Sequence, residues 1–544
     1  MLKKMLALLL ALVFCFALLA GCGGNTDDTT AAPADDTTAA PAATTEATEP
    51  EYTSPDMTGK TITIYRTTNS DYDTPNCYAT GAIEKTLGVD LNWIELAEME
   101  SNVKTMIAEK KPPELMYINN YTQTNWAGFA LDGAFINFMD YMDQMPNVKA
   151  YLADPENAPA VAKFSYSETE MYAIPIGSTG SSTARAFLYR KDIFDKHNIE
   201  IPTNQEEFVA TLRKLKELYP NSMPFVMRSM DGTNIQGAQA WGYLFGASHV
   251  NRGAYGTFFT LDDNGEYYMA QTSQAYKEMA QFIVDMTKEG LMHASTMTID
   301  TAGWQEALAS DTSFITYDKI DRIPQIVNVG KDLNPDFVLA AFAPFNFGTH
   351  ATQTDVVATG RAGGATSQGF MVSAVIDEEE RNDILTYIDW LYSEEGLMVT
   401  NWGIEGESYE VLEDSSISYI DSFLEAQNGV KTGLNAQGIC GHKLFEPFLD
   451  TCDEEMAKGL VMAQEFCDRA TQQYPLLYNE EEQAVWDTYA ETLYTTAQGE
   501  WSKFALGQKD FAEWDSFLQL LKDSYHYDEV KAIHDSALER VLAE

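Results

Sequence analysis

The chain has 544 residues, with 35 Lys and Arg against 82 Asp and Glu and a net charge of −47. That balance repels nucleic-acid phosphates and anionic lipid headgroups, so neither is expected as a partner. It does not select a small ligand, because screening over roughly 8 Å at physiological salt leaves the local charge of a cleft in control.

In chain order, the first element is an export signal. Lys3 and Lys4 precede the apolar run Met5 to Leu18, and Leu19-Ala20-Gly21-Cys22 is the small-residue cleavage site of a bacterial lipobox. Residues 1–21 therefore read as a signal peptide and Cys22 as the lipid-attachment residue. The run is short for a membrane span, and no other stretch approaches the ~18 uncharged residues that one needs. The expected location is extracytoplasmic, lipid-anchored to the outer face of the bacterial cell membrane. Residues 22–53 repeat Thr, Ala, Pro, Asp and Glu, with Ala31-Ala32-Pro33 echoed by Ala39-Ala40-Pro41. Such a segment cannot bury enough surface to offset its ordering entropy, so it reads as a disordered acidic tether. About 490 residues follow, too many for one core, so two or more domains are expected.

The body opens with a strand over Thr61 to Tyr65, followed by the polar loop Thr67 to Tyr72. A helix over Ala79 to Leu87 stops at Gly88, a strand covers Val89 to Leu96, and a helix covers Glu98 to Glu109. Pro112-Pro113 then precedes the strand Glu114 to Ile118, which ends at Asn119-Asn120-Tyr121. Strand and helix in alternation predict an α/β fold with a parallel sheet covered on both faces. Ligands of such sheets sit beyond the carboxyl ends of the strands, here the loops at Asn69 and at Asn119 to Tyr121. A second unit begins near Ile174-Pro175-Ile176-Gly177 and passes the apolar stretch Ala186 to Tyr189. Thr203 with Glu206 reads as the capping box of a helix carrying Phe208, Leu212, Leu215 and Tyr219 on one face. Tyr276, Ala280, Ile283 and Thr287 share a face of a helix ended by Gly290. Phe314 to Tyr317 reads as a buried strand, and Ile384 to Ser393 as a helix ended by Glu394-Glu395-Gly396. Met456 to Thr471, Glu480 to Ala497, Asp510 to Lys522 and Tyr527 to Leu542 carry helical spacing and form a helical close.

Signals for catalysis and metals are weak. Gly177-Ser178-Thr179-Gly180 fails the spacing of a nucleophile elbow, and no zinc-protease, phosphate-loop or dinucleotide motif occurs. The seven histidines are scattered; His526 and His534, eight residues apart, lack metal-ligand spacing. Cys77, Cys440, Cys452 and Cys467 do not form a zinc pattern. Cys440 with Cys452 suits a disulfide in an exported protein, and small buried thiols are the other reading. Asp262-Asp263-Asn264-Gly265-Glu266 lacks the calcium-loop spacing and reads as a hairpin turn. No catalytic residue, cofactor or metal is expected.

Aromatic residues give the positive signal: nine Trp and 28 Tyr, many beside Asn, Gln or Asp. A sugar presents weakly polar C–H faces and a rim of hydroxyls, which suits stacking rings edged by amides and carboxylates. Trp241, Trp304 and Trp402 fit that description, and each has a second reading as a core aromatic, because large rings are usually well buried.

The order of motifs along residues 57–544 resembles the extracellular solute-binding proteins of family 1, lipoprotein receptors of carbohydrate ABC importers. The motifs are the lipobox, Met171-Tyr172-Ala173-Ile174-Pro175 with Leu188-Tyr189-Arg190-Lys191-Asp192, Ile201-Pro202-Thr203, and Lys288-Glu289-Gly290-Leu291. Asn401-Trp402-Gly403-Ile404-Glu405-Gly406-Glu407 and the ending Phe504 to Gly507 with Trp514 to Leu521 point to the long, oligosaccharide-binding subgroup. The resemblance implies a non-enzymatic receptor with a two-lobed periplasmic-binding-protein type II fold, hinge crossings and a helical C-terminal region. It implies crossings near Ile174, Phe314 and Gly369, and hence lobe 1 over 54–173, lobe 2 over 174–313, a return of lobe 1 over 314–368 and lobe 2 again over 369–544. The matching ligand positions are Asn69, Asn119, Tyr121, Trp241, Trp304, Tyr317, Asp318 and Trp402. The implied partners are a carbohydrate, ABC permease subunits and the membrane through the N-terminal lipid, with the chain a monomer. Alginate-type relatives insert a calcium loop where this chain has only Pro220-Asn221-Ser222, which speaks against calcium and an alginate-like ligand. The alternatives are a surface glycan-degrading enzyme, or a receptor for a peptide or other solute whose charges meet Arg66, Arg228, Lys319 or Arg322.

Overall fold

The computed structural model describes residues 54–68, 72–119, 126, 128–167, 169–180, 184–228, 241–247, 258–262, 264–351, 368–426, 432–436, 438–465 and 478–543. The signal peptide, Cys22, the tether, Asn69, Tyr121 and Cys467 lie outside the described residues. No described helix is long and apolar enough to cross a membrane.

Two sheets organise the described chain. The first has five strands in the order Asp90–Leu96, Thr61–Thr67, Leu115–Ile118, Gly369–Val372, Ile174–Pro175. Thr61–Thr67 pairs parallel with both neighbours, in register from Thr61 opposite Asp90 to Thr67 opposite Leu96. Alternation buries Ile62, Ile64 and Arg66 on one face. The helix Tyr78–Leu87 covers this sheet and ends where Gly88 adopts φ +71°, a left-handed conformation that L side chains rarely take. Parallel strands joined through helices are what the sequence predicts for this unit.

The second sheet places Arg185–Arg190 between Ile315–Lys319 and Leu339–Phe342, all antiparallel. A short extended stretch beginning at Phe225 runs parallel to Ile315–Lys319. The helices Glu480–Ala505, Trp514–Tyr525 and Tyr527–Ala543 close this unit, burying Leu493, Trp501, Phe504, Trp514 and Val530 in one core with Phe187 and Trp241. Asn479 and Glu482 form a reciprocal capping box at the first of these helices.

Strand pairing corrects the expected division of the chain. Residues 314–368 do not return to the first lobe, because Ile315–Lys319 and Leu339–Phe342 both flank Arg185–Arg190. Gly369–Val372 does not enter the second lobe; it pairs antiparallel with Leu115–Ile118. Gly369 permits this, since a Cβ there would lie 2.7 Å from the Ile174 carbonyl oxygen. The helix Glu378–Leu391 follows, with Ile384, Leu385, Ile388 and Leu391 in the same core as Ile62 and Ile64. The chain therefore passes between the sheets after Pro175 and before Arg185, between Phe342 and Gly369, and again at 440–445, where Gly177–Ser178 pairs parallel with His442–Lys443. Phe314 is not a crossing; it lies in the second core.

Local corrections have simple causes. Asn204, not Thr203, caps the helix Gln205–Leu218, accepting from Glu207 N, while Thr203 donates to the Glu207 carboxylate. Glu394-Glu395-Gly396 opens a new helix, Glu394–Asn401, capped by Ser393. The turn at Asp262 joins the antiparallel strands Thr260–Leu261 and Tyr267–Tyr268, and its Oδ1 accepts from Asn264 N and Glu266 N. Cys77, Cys440 and Cys452 are free thiols. Cys440 Sγ donates to Ala436 O and Cys452 Sγ to Phe448 O, and burial pushes their thiols up to about 11 and about 12.

Candidate functional site

The crossings fix which ends of the two sheets are joined. In the first sheet Ile118, the carboxyl end of its strand, lies opposite Gly369, where the chain arrives, and Gly369 lies opposite Pro175, where it leaves. In the second, Arg185 follows the first crossing and lies opposite Lys319, the carboxyl end of Ile315–Lys319. The carboxyl ends of the parallel strands of the first unit, and of Ile315–Lys319 and Leu339–Phe342 in the second, are thus at the crossing side, where ligands of open α/β sheets sit.

On the first unit this end is built around Arg66. Its side chain continues the buried face of Ile62 and Ile64, and Nη1 donates to Tyr72 Oη at 3.2 Å. The guanidinium carbon lies 5.6, 5.9 and 5.7 Å from the ring centroids of Tyr72, Trp93 and Tyr117. Those ring faces supply the negative potential that a carboxylate would otherwise provide. Burial pushes the Tyr117 phenol far above its usual range. Tyr117 Oη and Trp93 Nε1 are buried without a hydrogen-bond partner among the described residues. Asn119 stands half-buried just past Ile118.

The second unit presents charge instead. Asp318 is 1% exposed and Arg228 6%. Arg228 donates from Nε to Asp318 Oδ2 at 2.6 Å and from Nη2 to Oδ1 at 3.2 Å, with Arg185 Nη1 3.5 Å from Oδ1. The Arg228 guanidinium also lies 5.2 Å from the Trp304 ring centroid, and Trp304 Nε1 donates to Thr316 Oγ1. Lys319, Asp321 and Arg322 follow in sequence. Burial, reinforced by Arg185 nearby, holds the Lys319 ammonium below its usual range, and burial raises the Asp321 carboxyl.

Of the residues singled out from sequence, Trp304 and Asp318 meet in this cluster. Trp241 does not line the cleft. It is fully buried, its ring 5.2 to 5.4 Å from those of Phe225, Phe245, Phe282 and Phe347, and so has no free face for a sugar. Tyr317 points the other way from Asp318, as alternation along a strand requires, and packs 5.0 Å from Phe187 in the core. Trp402 belongs to a separate small cluster, 4.9 Å from Tyr419. In all three, and in Trp304, whose ring is likewise fully buried, burial of a large ring overrides the stacking role. The residue beside Trp402 matters for the crossing instead: Asn401 donates from Nδ2 to His442 O at 2.9 Å and accepts from Leu444 N at 3.0 Å. Arg185 and Asp321 were not singled out at all. The signal that finds Asp321 is the charged run Asp318-Lys319-Ile320-Asp321-Arg322 at the end of a buried strand; Arg185 has no local signal and is placed by its pairing with Lys319. Among the described residues no group of His, Cys, Asp and Glu is arranged to hold a metal.

Comparison with known proteins places this geometry. The family model for bacterial extracellular solute-binding proteins matches residues 79–402. Lipoprotein LipO of Bacillus subtilis is 23% identical over 351 residues, 61% of this chain, and the match spans only 63% of that relative's length. Among solved structures, an HMO-binding, ABC-transporter-associated solute-binding protein from Bifidobacterium longum infantis superposes with a TM-score of 0.66 at 16% identity, covering 87% of this chain and 98% of that one. The N-glycan transport solute-binding protein of Streptococcus pneumoniae gives 0.59 at 16% identity, covering 89% and 99%. These neighbours share the two-domain, mixed α/β fold with its helical C-terminal region. With more than half of the chain matched, it belongs to the bacterial extracellular solute-binding proteins.

Proposed function

We propose that the chain is the lipid-anchored receptor of an ABC importer, without catalytic activity of its own, which captures a carbohydrate between its lobes and delivers it to permease subunits. The observation that carries this reading is the placement of both strand-end surfaces at the crossing side of the two sheets. Closure about those crossings brings Arg66, Tyr72 and Asn119 of one lobe toward Arg185, Lys319 and Arg322 of the other, so that a ligand touching both favours the closed arrangement. Two sugar-transport proteins of the same fold, named for HMO and N-glycan, support a carbohydrate as the solute. Cys22 supplies the anchor, the 22–53 tether the reach, and the receptor works as a monomer.

Thermal unfolding of the exported chain against a panel of oligosaccharides tests the reading. A ligand at 100 times its Kd stabilises the fold by roughly 2.7 kcal/mol. A saturable shift with the glycan recovered intact supports a receptor; shortened products support a glycan-degrading enzyme instead. Cys22→Ala is expected to release the protein from the membrane fraction.

A further inference from the structure

The second-lobe cluster holds more positive charge than its partners neutralise. Among the described residues Arg185, Arg228, Lys319 and Arg322 face two carboxylates, Asp318 and Asp321, in a chain with more than twice as many acidic as basic residues. Asp318 is already committed to Arg228 and shared with Arg185. Arg185 and Lys319 are directly opposed across an antiparallel pair, where like charges repel. Lys319 Nζ makes no ion pair or hydrogen bond among the described residues. Arg322 Nε and Asp321 Oδ1 stand 3.5 Å apart, and both are buried without a hydrogen bond. Partly buried cations of like sign are costly unless an anion completes them.

We propose that Arg185, Lys319 and Arg322 form an anion subsite that takes a carboxylate or sulfate ester carried by the sugar ligand. This rests on the carbohydrate-receptor reading above and narrows it to acidic sugars. Asp318 holds Arg228, whose guanidinium lies 5.2 Å from the Trp304 ring centroid, and shares Arg185; further N–H groups of Arg185, Lys319 and Arg322 remain as donors, with Arg322 Nη1 also donating to Gln325 Oε1 at 3.4 Å. A planar carboxylate suits the guanidinium forks and a tetrahedral sulfate suits several neighbouring donors; both give short charge-assisted hydrogen bonds. A neutral sugar at the same place leaves these cations uncompensated. Recognition of the acidic group therefore acts partly by rejecting its neutral counterpart.

Calorimetric titration of the full exported chain tests this with three probes of equal length: an oligogalacturonate, a sulfated oligosaccharide and a neutral oligosaccharide. The expected result is that one acidic probe binds tighter than the neutral one by on the order of tenfold or more, with the preference shrinking at high salt. Which acidic probe does so separates carboxylate from sulfate. Lys319→Gln is expected to collapse the preference, and Arg322→Gln, whose side chain is 30% exposed, serves as the second variant should the first fail to fold. A neutral probe that binds as tightly, or a preference that survives both substitutions, overturns the anion subsite and leaves the carbohydrate receptor standing. If no oligosaccharide of any class binds, both readings fall.

Discussion

The two lobes present opposite chemistry at the same topological place. The first stabilises a buried cation, Arg66, with three aromatic rings and one phenol; the second surrounds Asp318 with arginines and, among the described residues, gives Lys319 no ion pair. The difference follows from what each strand delivers to its end. Thr61–Thr67 ends with Arg66 among aromatic rings, whereas Ile315–Lys319 ends in a charged run opposite Arg185. One surface suits the apolar face of a ring, the other a charged substituent. A ligand spanning both would be oriented by the contrast.

The largest expected effect separates core from surface within the second lobe. Trp241→Ala removes a ring enclosed by four others and is expected to cost about 3–5 kcal/mol in urea unfolding. An unchanged unfolding midpoint would return Trp241 to the cleft. Asp318→Ala comes next, because it leaves Arg228 buried and unpaired; about 3 kcal/mol is expected, and Asp318→Ala with Arg228→Met should recover much of it. Were the single substitution harmless, the second lobe's cluster would not be the tightly held network described.

Acid titration reaches both lobes through two histidines. Burial lowers His442, at the crossing, and His534, in the C-terminal helices, each to about 4 from an ordinary 6.5. His534 is satisfied when neutral, with Nδ1–H donating to Val530 O and Nε2 accepting from Tyr478 Oη. Because the folded pKa is depressed, the folded state binds fewer protons. The stability is complete above about pH 6.5 and is lost as pH falls toward 4, by about 2 kcal/mol per histidine at pH 5. Replacing His534 with Gln should flatten part of that slope in a series of unfolding curves, and an unaltered slope would assign it elsewhere. The smallest effect belongs to the first lobe: Arg66→Met keeps the packing and loses the ring contacts, for about 1 kcal/mol. A cost equal to that of Asp318→Ala would erase the contrast between the lobes.

The parallel unit was legible because each of its strands and helices is marked locally. Thr61–Thr67 alternates, Gly88 stops its helix, and Pro112-Pro113 precedes the next strand. The helical close was legible for the same reason, although Glu480–Ala505 runs eight residues past the expected end at Ala497. What failed was assignment between lobes. Phe314 to Tyr317 reads as a buried strand and Gly369 only as an implied crossing, and nothing in either segment says which sheet it joins. The aromatic candidates failed similarly, since a Trp beside Gln reads alike in a cleft and in a core.

The sequence by itself carries the reading of an export signal and a tether, and it determined the α/β class and the family resemblance, because each rests on spacing within a short window or on motif order. Only the tertiary structure decided which strands pair, that Trp241, Tyr317 and Trp402 are interior, and that Arg185 meets Lys319 across 134 residues of chain. Those outcomes depend on long-range packing, where competing partners have similar local patterns and the better-buried arrangement prevails.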